Sequence, residues 1–248
     1  MKQVILVTGA SRGIGAATAR LAATRGFAVG VNYREDEAGA QAVVDDIRRA
    51  GGEAVPLKAD LASEEGVRAL FEALDRQLGR ITALVNNAAR LEHQARLEAI
   101  EGDRVRRIFA ANVFGPFACC REAVRRMSTK HGGAGGAIVN VSSAAARLGS
   151  PGEYIDYAAS KGALETLTTG LAKEVAEEGV RVNAVRPGHI YTTMHASGGE
   201  PGRVDRVKAF VPMKRGGEPD EVARAILWLL SNEASYVTGT VLDVTGGR

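Results

Sequence analysis

The chain has 248 residues, of which 45% are apolar and 25% charged, and a formal net charge of +3. This balance suits one globular domain spanning residues 1–248 and excludes a disordered or fibrous chain. The basic pairs Arg48 and Arg49, Arg106 and Arg107, and Arg125 and Arg126 fall on separate predicted helices with acids nearby, and aromatics make up only 5%, so no nucleic-acid partner is expected.

No apolar stretch reaches the length of a bilayer span, so no membrane partner is expected either. Cys119 and Cys120 are adjacent, which argues against a disulfide framework. Lys2 and Gln3 lead straight into a strand-like run with no signal-peptide pattern, so a reducing cytoplasm is the expected location.

Residues 4–8 form a short continuous apolar run, as in a strand buried on both faces. Gly9, Gly13 and Gly15 follow in a turn, and a helix-forming stretch begins at Ala16. Strand, glycine turn and helix in that order aim free N–H groups and a helix dipole at an anion, and the glycines let the backbone approach a pyrophosphate. The spacing G-x-x-x-G-x-G differs from the common dinucleotide fingerprint, and no P-loop lysine is present. The alternative is a glycine turn of purely structural use.

Residues 27–33 read as a second strand ending in Asn32, Tyr33 and Arg34. A site for the unphosphorylated cofactor usually has an acid there for the ribose hydroxyl. Arg34 stands in that place, Glu35 and Asp36 come slightly late, and Arg12 could join Arg34 around a 2′-phosphate. The alternative is two surface arginines.

Residues 38–50 are an amphipathic helix closed by Gly51 and Gly52. A third strand at 54–58 precedes Asp60, and Ser63 is the predicted cap of a helix running to about Leu78. A fourth strand at 81–85 ends in Asn86, Asn87, Ala88 and Ala89, where the asparagines either tie loops together or form a turn. One long helical region is predicted over 101–130, with Asn112, a poor mid-helix residue, marking a bend. A fifth strand at 137–141 delivers Ser142 and Ser143. The helix predicted over 155–175 carries Tyr157 and Lys161, four apart and so on one face. A cation beside a phenol favours the phenolate, so Lys161 is expected to lower the Tyr157 pKa from its usual ~10. The alternative is a surface tyrosine and lysine at helical spacing.

A sixth strand at 180–185 ends in Arg186, Pro187 and Gly188, and an irregular stretch at 189–217 reads as a lid. A helix at 219–230 and a last strand at 240–244 complete the chain. The alternation predicts an α/β fold: a single doubly wound domain with a parallel sheet and helices on both faces. Ligands bind beyond the carboxyl ends of such strands, where the glycine turn, Arg34, Asp60, Asn86, Ser143 and Pro187-Gly188 converge. His189 and His195 have no cysteine or carboxylate at ligand spacing, and no metal site is expected.

Thr8-Gly-Ala-Ser-Arg-Gly-Ile-Gly15, Asp60-Leu61, Asn86-Asn-Ala-Ala89, Asn112, Ser143, Tyr157-x-x-x-Lys161 and Pro187-Gly188 occur in the order found in the short-chain dehydrogenase/reductase family, which the chain resembles along its whole length. The resemblance implies a seven-stranded Rossmann-type sheet, a nicotinamide cofactor and a catalytic set of Asn112, Ser143, Tyr157 and Lys161. Tyr157 would exchange a proton with the substrate oxygen, Ser143 would hydrogen-bond that oxygen, and Lys161 would tune Tyr157 and hold the nicotinamide ribose. Asn112 would hold a water linking Lys161 to solvent. The implied cofactor contacts are Gly9, Ser11, Arg12, Gly13, Ile14, Gly15, Tyr33, Arg34, Asp60, Leu61, Asn87, Ala88, Ala89, Tyr157, Lys161, Pro187, Gly188, Ile190 and Thr192.

Ala89 stands where the family more often has glycine, and the interval from Ser143 to Tyr157 is about one residue longer than in many relatives, which leaves Ser142 open beside the preferred Ser143. The leading expectation is an NADP(H)-dependent oxidoreductase interconverting a small-molecule ketone and a secondary alcohol, assembled as a homotetramer. A 3-oxoacyl-carrier-protein reductase-like role and an NAD-preferring sugar or polyol dehydrogenase-like role stay open within it. Outside it stand a non-catalytic dinucleotide sensor and a lyase or epimerase using the same tyrosine.

Overall fold

The computed structural model describes residues 2–248. The strands are β1 (Val4–Val7), β2 (Ala28–Tyr33), β3 (Ala54–Lys58), β4 (Ala83–Asn86), β5 (Gly136–Val141), β6 (Val180–Pro187) and β7 (Val241–Val244). They form one seven-stranded sheet in the order β3-β2-β1-β4-β5-β6-β7, with every pairing parallel. The order reverses between β1 and β4, and a ligand crevice opens at such a switch point.

Two hydrophobic cores explain why the strands read as unbroken apolar runs. Ile5 and Val7 of β1 face a core completed by α1 (Gly13–Thr24), α2 (Glu37–Arg49) and α10 (Pro219–Leu230). Val4 and Leu6 face the opposite core, completed by α3 (Glu64–Gln77), α5 (Gly115–Met127) and α7 (Ile155–Val175). Cys119 and Cys120 lie in this second core, where burial pushes both thiols up, Cys120 to about 12.

Local chemistry sets the helix starts. Ser63 accepts from Gly66 N at 3.0 Å and caps α3, as expected. Asp36 accepts from Gly39 N at 3.0 Å and caps α2, which commits its carboxylate to the helix.

Two expectations need correction. The helix predicted over 101–130 is two helices, α4 (Gly102–Phe109) and α5, joined by a π-helical segment at Ala110–Phe114. Asn112 sits in that segment and bonds outside its own helix, which widens the turn. The stretch at 189–217, expected to be irregular, contains α8 (Met194–Ser197) and α9 (Arg203–Val207), each too short to show a period in sequence. Between β5 and α7 lies α6 (Ala145–Leu148). Among the described residues no helix is long and apolar enough to cross a membrane.

Candidate active site

The glycine turn is laced to the loop after β4. Thr8 Oγ1 accepts from Asn87 N at 2.9 Å and Ala88 N at 3.0 Å, while Asn87 Nδ2 donates to Thr8 O and Gly9 O at 2.9 and 3.0 Å. Gly9 has φ +59°, and a Cβ there would come within 2.8 Å of Ala88 Cα, so the turn needs glycine. A Cβ on Gly15 would lie 2.5 Å from both Gly9 O and Asn87 Nδ2. Asn32 fixes the other side, accepting from Gly9 N at 3.3 Å. The first turn of α1 has neither an acid nor a side-chain cap, so its N–H groups stay open to an anion. Ser11, Arg12, Gly13 and Thr192 line an open cavity over that end, which fits a dinucleotide pyrophosphate.

Toward the ribose end, Tyr33 is buried and Arg34 is about half exposed, with Nη2 2.7 Å from Glu35 Oε1. Arg12 is exposed beside the turn. Asp60 accepts from Ala62 N at 2.9 Å, and Leu61 is buried beside it. Asn86 turns the other way from Asn87: its Nδ2 donates to Asn140 Oδ1 at 2.9 Å, and its buried Oδ1 has no partner. Ala89 has no positive φ, so alanine fits the loop without strain.

Ser143, Tyr157 and Lys161 share a cavity of about 490 Å³ with Ile14, Asn87, Ala89, Pro187, Gly188, Ile190 and Thr192. Parallel strands β5 and β6 deliver Ser143 and Pro187-Gly188 side by side, and Ala144 N donates to Pro187 O at 2.9 Å. The two serines divide their tasks. Ser142 donates to Glu165 Oε1 at 2.7 Å, whereas Ser143 hydrogen-bonds Tyr157.

The tyrosine is not tuned as expected. Burial pushes the Tyr157 phenol up to about 12, and Ser143 works only partly against it. The Lys161 ammonium donates to Val141 O at 2.7 Å and lies 5.6 Å from the Tyr157 ring centroid, so its closest partner is a carbonyl. Burial also brings Lys161 down to about 8, with Glu165 opposing.

Asn112 is a second departure. It is fully buried, accepts from Arg90 N at 2.7 Å, and donates to Arg90 O and Ser160 Oγ, both at 3.0 Å. Its hydrogen bonds go to protein, not to a water toward Lys161, and it does not line the cavity. Ser160 in turn donates to Tyr157 O at 2.7 Å, so Asn112 braces α7 behind the tyrosine.

Several lining residues escaped the sequence reading: Glu153, Tyr154, His189, His195, Arg203 and Arg248. Arg203 pairs with Glu153 through both nitrogens and lies 5.2 Å over the Tyr154 ring, while Tyr154 donates to Gly198 O at 3.1 Å. These contacts bind the lid to the loop before α7. His195 Nε2 lies 2.9 Å from Ile190 O, and burial lowers its pKa. Arg203 and Glu153 are 50 residues apart, so no local spacing could have announced them. Among the described residues no group of three or more His, Cys, Asp or Glu is placed to hold a metal.

The family model described as "Enoyl-(Acyl carrier protein) reductase" matches residues 9–248. The "Uncharacterized oxidoreductase YgfF" of Escherichia coli is 60% identical over 245 residues, covering 99% of each chain. The "3beta-hydroxysteroid dehydrogenase 1" of Eggerthella lenta is 39% identical, covering 99% of this chain and 93% of the relative. The "3-oxoacyl-[acyl-carrier-protein] reductase" of Synechocystis is 38% identical, covering 99% and 96%. A crystal structure of 3-ketoacyl-(acyl-carrier-protein) reductase from Brucella melitensis complexed with NADH superposes with TM-score 0.91 at 32% identity, covering 99% of this chain and 98% of that one.

Proposed function

The chain belongs to the short-chain dehydrogenase/reductase family, and from that premise we propose that it is an NADP(H)-dependent oxidoreductase interconverting a ketone and a secondary alcohol, with Tyr157 as general acid and base. The observation that carries the reading is the hydrogen-bonded Ser143 and Tyr157 pair in a cavity beside the glycine turn, with Lys161 beneath. A bound nicotinamide supplies or accepts the hydride. Tyr157, held protonated at neutral pH by burial, gives its proton to the carbonyl oxygen during reduction. Ser143 donates to the same oxygen and stabilises its developing charge. Lys161 supplies positive charge from below and returns a proton to the phenolate. Asn112 acts through Ser160 on the position of α7.

Arg12 and Arg34 support a 2′-phosphate, because Asp36 is spent on a helix cap and Glu35 on Arg34. The competing reading is NAD(H), favoured by that Arg34–Glu35 pair and by the NADH named with the Brucella structure. For assembly, Phe114 and Phe117 are exposed beside Phe109 and Val113 in an apolar hollow, which supports a homotetramer. A cytoplasmic location fits buried, reduced cysteines. Purified protein with NADPH or NADH and a panel of ketones, followed by absorbance at the reduced nicotinamide band, tests the reading; no cofactor oxidation with any ketone would point to a non-catalytic sensor.

A further inference from the structure

After β7 the chain reverses at Gly246 and Gly247, with φ +67° and +95°. A Cβ on Gly246 would meet Val211 Cγ1 at 2.8 Å, and one on Gly247 would meet Pro212 at 3.1 Å, so this tail lies tightly on the lid. Met213 N donates to Gly246 O at 3.1 Å, and Arg147 on α6 donates to the Arg248 carbonyl. The backbone of Arg248 is therefore held from two sides, and its side chain lines the cavity that holds Ser143 and Tyr157.

The guanidinium is held but not neutralised. Its Nη1 lies 2.5 Å from His189 Nε2, and among the described residues it has no carboxylate partner. His189 is kept neutral, with its pKa pushed down to about 4 by burial and by Arg248, so the ring accepts from the guanidinium and adds no charge of its own. Lys161, Arg203 and Arg248 are the cations of the cavity lining, and Glu153 is its one carboxylate among the described residues. Glu153 is consumed by Arg203. The cavity thus presents a fixed fork of unused N–H donors in a partly water-excluded, electropositive space, which is the geometry that binds a carboxylate.

We propose that Arg248 is the specificity residue of this cavity, and that the substrate is an oxo acid whose carboxylate docks on Arg248 while its ketone meets Ser143 and Tyr157. The docking site stands on the geometry alone; that its ligand is also a substrate rests on the oxidoreductase reading above. His189 orients the fork and leaves its outer donors for the ligand.

The test separates the two. Ligand-observed NMR with hexanoate and hexanamide, which share a chain and undergo no redox step, reads carboxylate recognition without turnover. Wild type should bind hexanoate roughly tenfold or more tightly than hexanamide, since charge-assisted hydrogen bonds are worth about twice neutral ones. Arg248→Gln should erase that preference and Arg248→Lys should keep part of it, with circular dichroism confirming that each variant is folded. Equal binding of the two probes by wild type, or an unchanged preference in Arg248→Gln, overturns the proposal. In parallel, kcat/KM for aliphatic oxo acids and their methyl esters should favour the acids in wild type, and that ratio should fall about tenfold in Arg248→Gln. A carboxylate preference without turnover of any carbonyl would keep the docking site and refute the oxidoreductase reading; turnover that favours the esters at every chain length would do the reverse.

Discussion

Ser142 gives its hydroxyl hydrogen to Glu165 at 2.7 Å, and Glu165 is also clamped by Arg186 at 2.7 and 2.9 Å. The hydroxyl is therefore committed to a structural network, while its neighbour Ser143 hydrogen-bonds the phenol. Ser143→Ala is expected to lower turnover by about 10²-fold, in the range of losing one oxyanion donor. Ser142→Ala should cost about 1 kcal/mol of stability and little turnover. Steady-state kinetics and thermal melts on both variants check the division; a larger kinetic loss in Ser142→Ala would exchange the roles.

Tyr157→Phe keeps the ring and removes the proton. Turnover should fall by at least ~10²-fold, the low end for a positioned general acid, with cofactor affinity largely kept. Lys161→Ala should damage both and also melt earlier, because Val141 O loses its buried donor. Full activity in Tyr157→Phe would remove the tyrosine from the mechanism.

For cofactor choice, charge-assisted bonds from Arg12 and Arg34 would each be worth ~1.5–3 kcal/mol if fully formed. Half exposure of Arg34 and its existing pair with Glu35 push the outcome to the low end, so about tenfold preference for NADP(H) is expected. Arg34→Asp should reverse the preference, measured as kcat/KM with each cofactor. An unchanged ratio would make Arg34 an ordinary surface residue.

Stability against acid follows from four groups. Glu92, Glu200 and Glu221 are held down at about 2 chiefly by hydrogen bonds from Arg107, Arg206 and Arg215. Their folded pKa lies below the unfolded one, so the stability they add is present above the ordinary 4.5 and is lost as pH falls toward 2. His189 is lowered from 6.5 to about 4, chiefly by burial, so the unfolded chain binds its proton first and stability falls with pH across that window. Tm should begin to drop below pH 6.5 and fall more steeply below 4.5. His189→Asn should flatten the upper part by about 2 kcal/mol once partial exposure is allowed for. A slope that the variant leaves intact would assign that window to another group.

Light scattering at micromolar concentration should give a tetramer mass, and Phe117→Glu, which charges the exposed apolar hollow, should give a smaller species. A monomeric wild type would contradict the assembly.

What the sequence made legible was local. Strand, turn and helix sit next to one another at the glycine turn, and each strand end announces a residue at the crevice, so the sheet and most of the crevice could be read in order. The rest depended on distance. Arg203 finds Glu153 and Arg248 finds His189 only after the lid and the last strand fold back, and Lys161 chooses Val141 O over the phenol only once both are buried. Charge tuning of Tyr157 was misjudged for the same reason: spacing gives proximity, whereas burial decides the sign.

The wide turn at Ala110–Phe114 holds one residue more per turn than an α-helix, and each helical residue advances the azimuth by about 100°. That surplus residue sets the rotational phase of α5, whose Ala118, Cys119 and Ala123 point into the sheet. Deleting Ala111 would restore a regular turn and swing Arg121 or Arg125 toward the core, whereas Ala111→Gly would cost only about 1 kcal/mol. Circular dichroism of the two variants reads the difference, and a folded deletion variant would sink the idea. The segment therefore tolerates spelling errors but not a lost codon, because a missing residue changes the direction in which a whole helix faces.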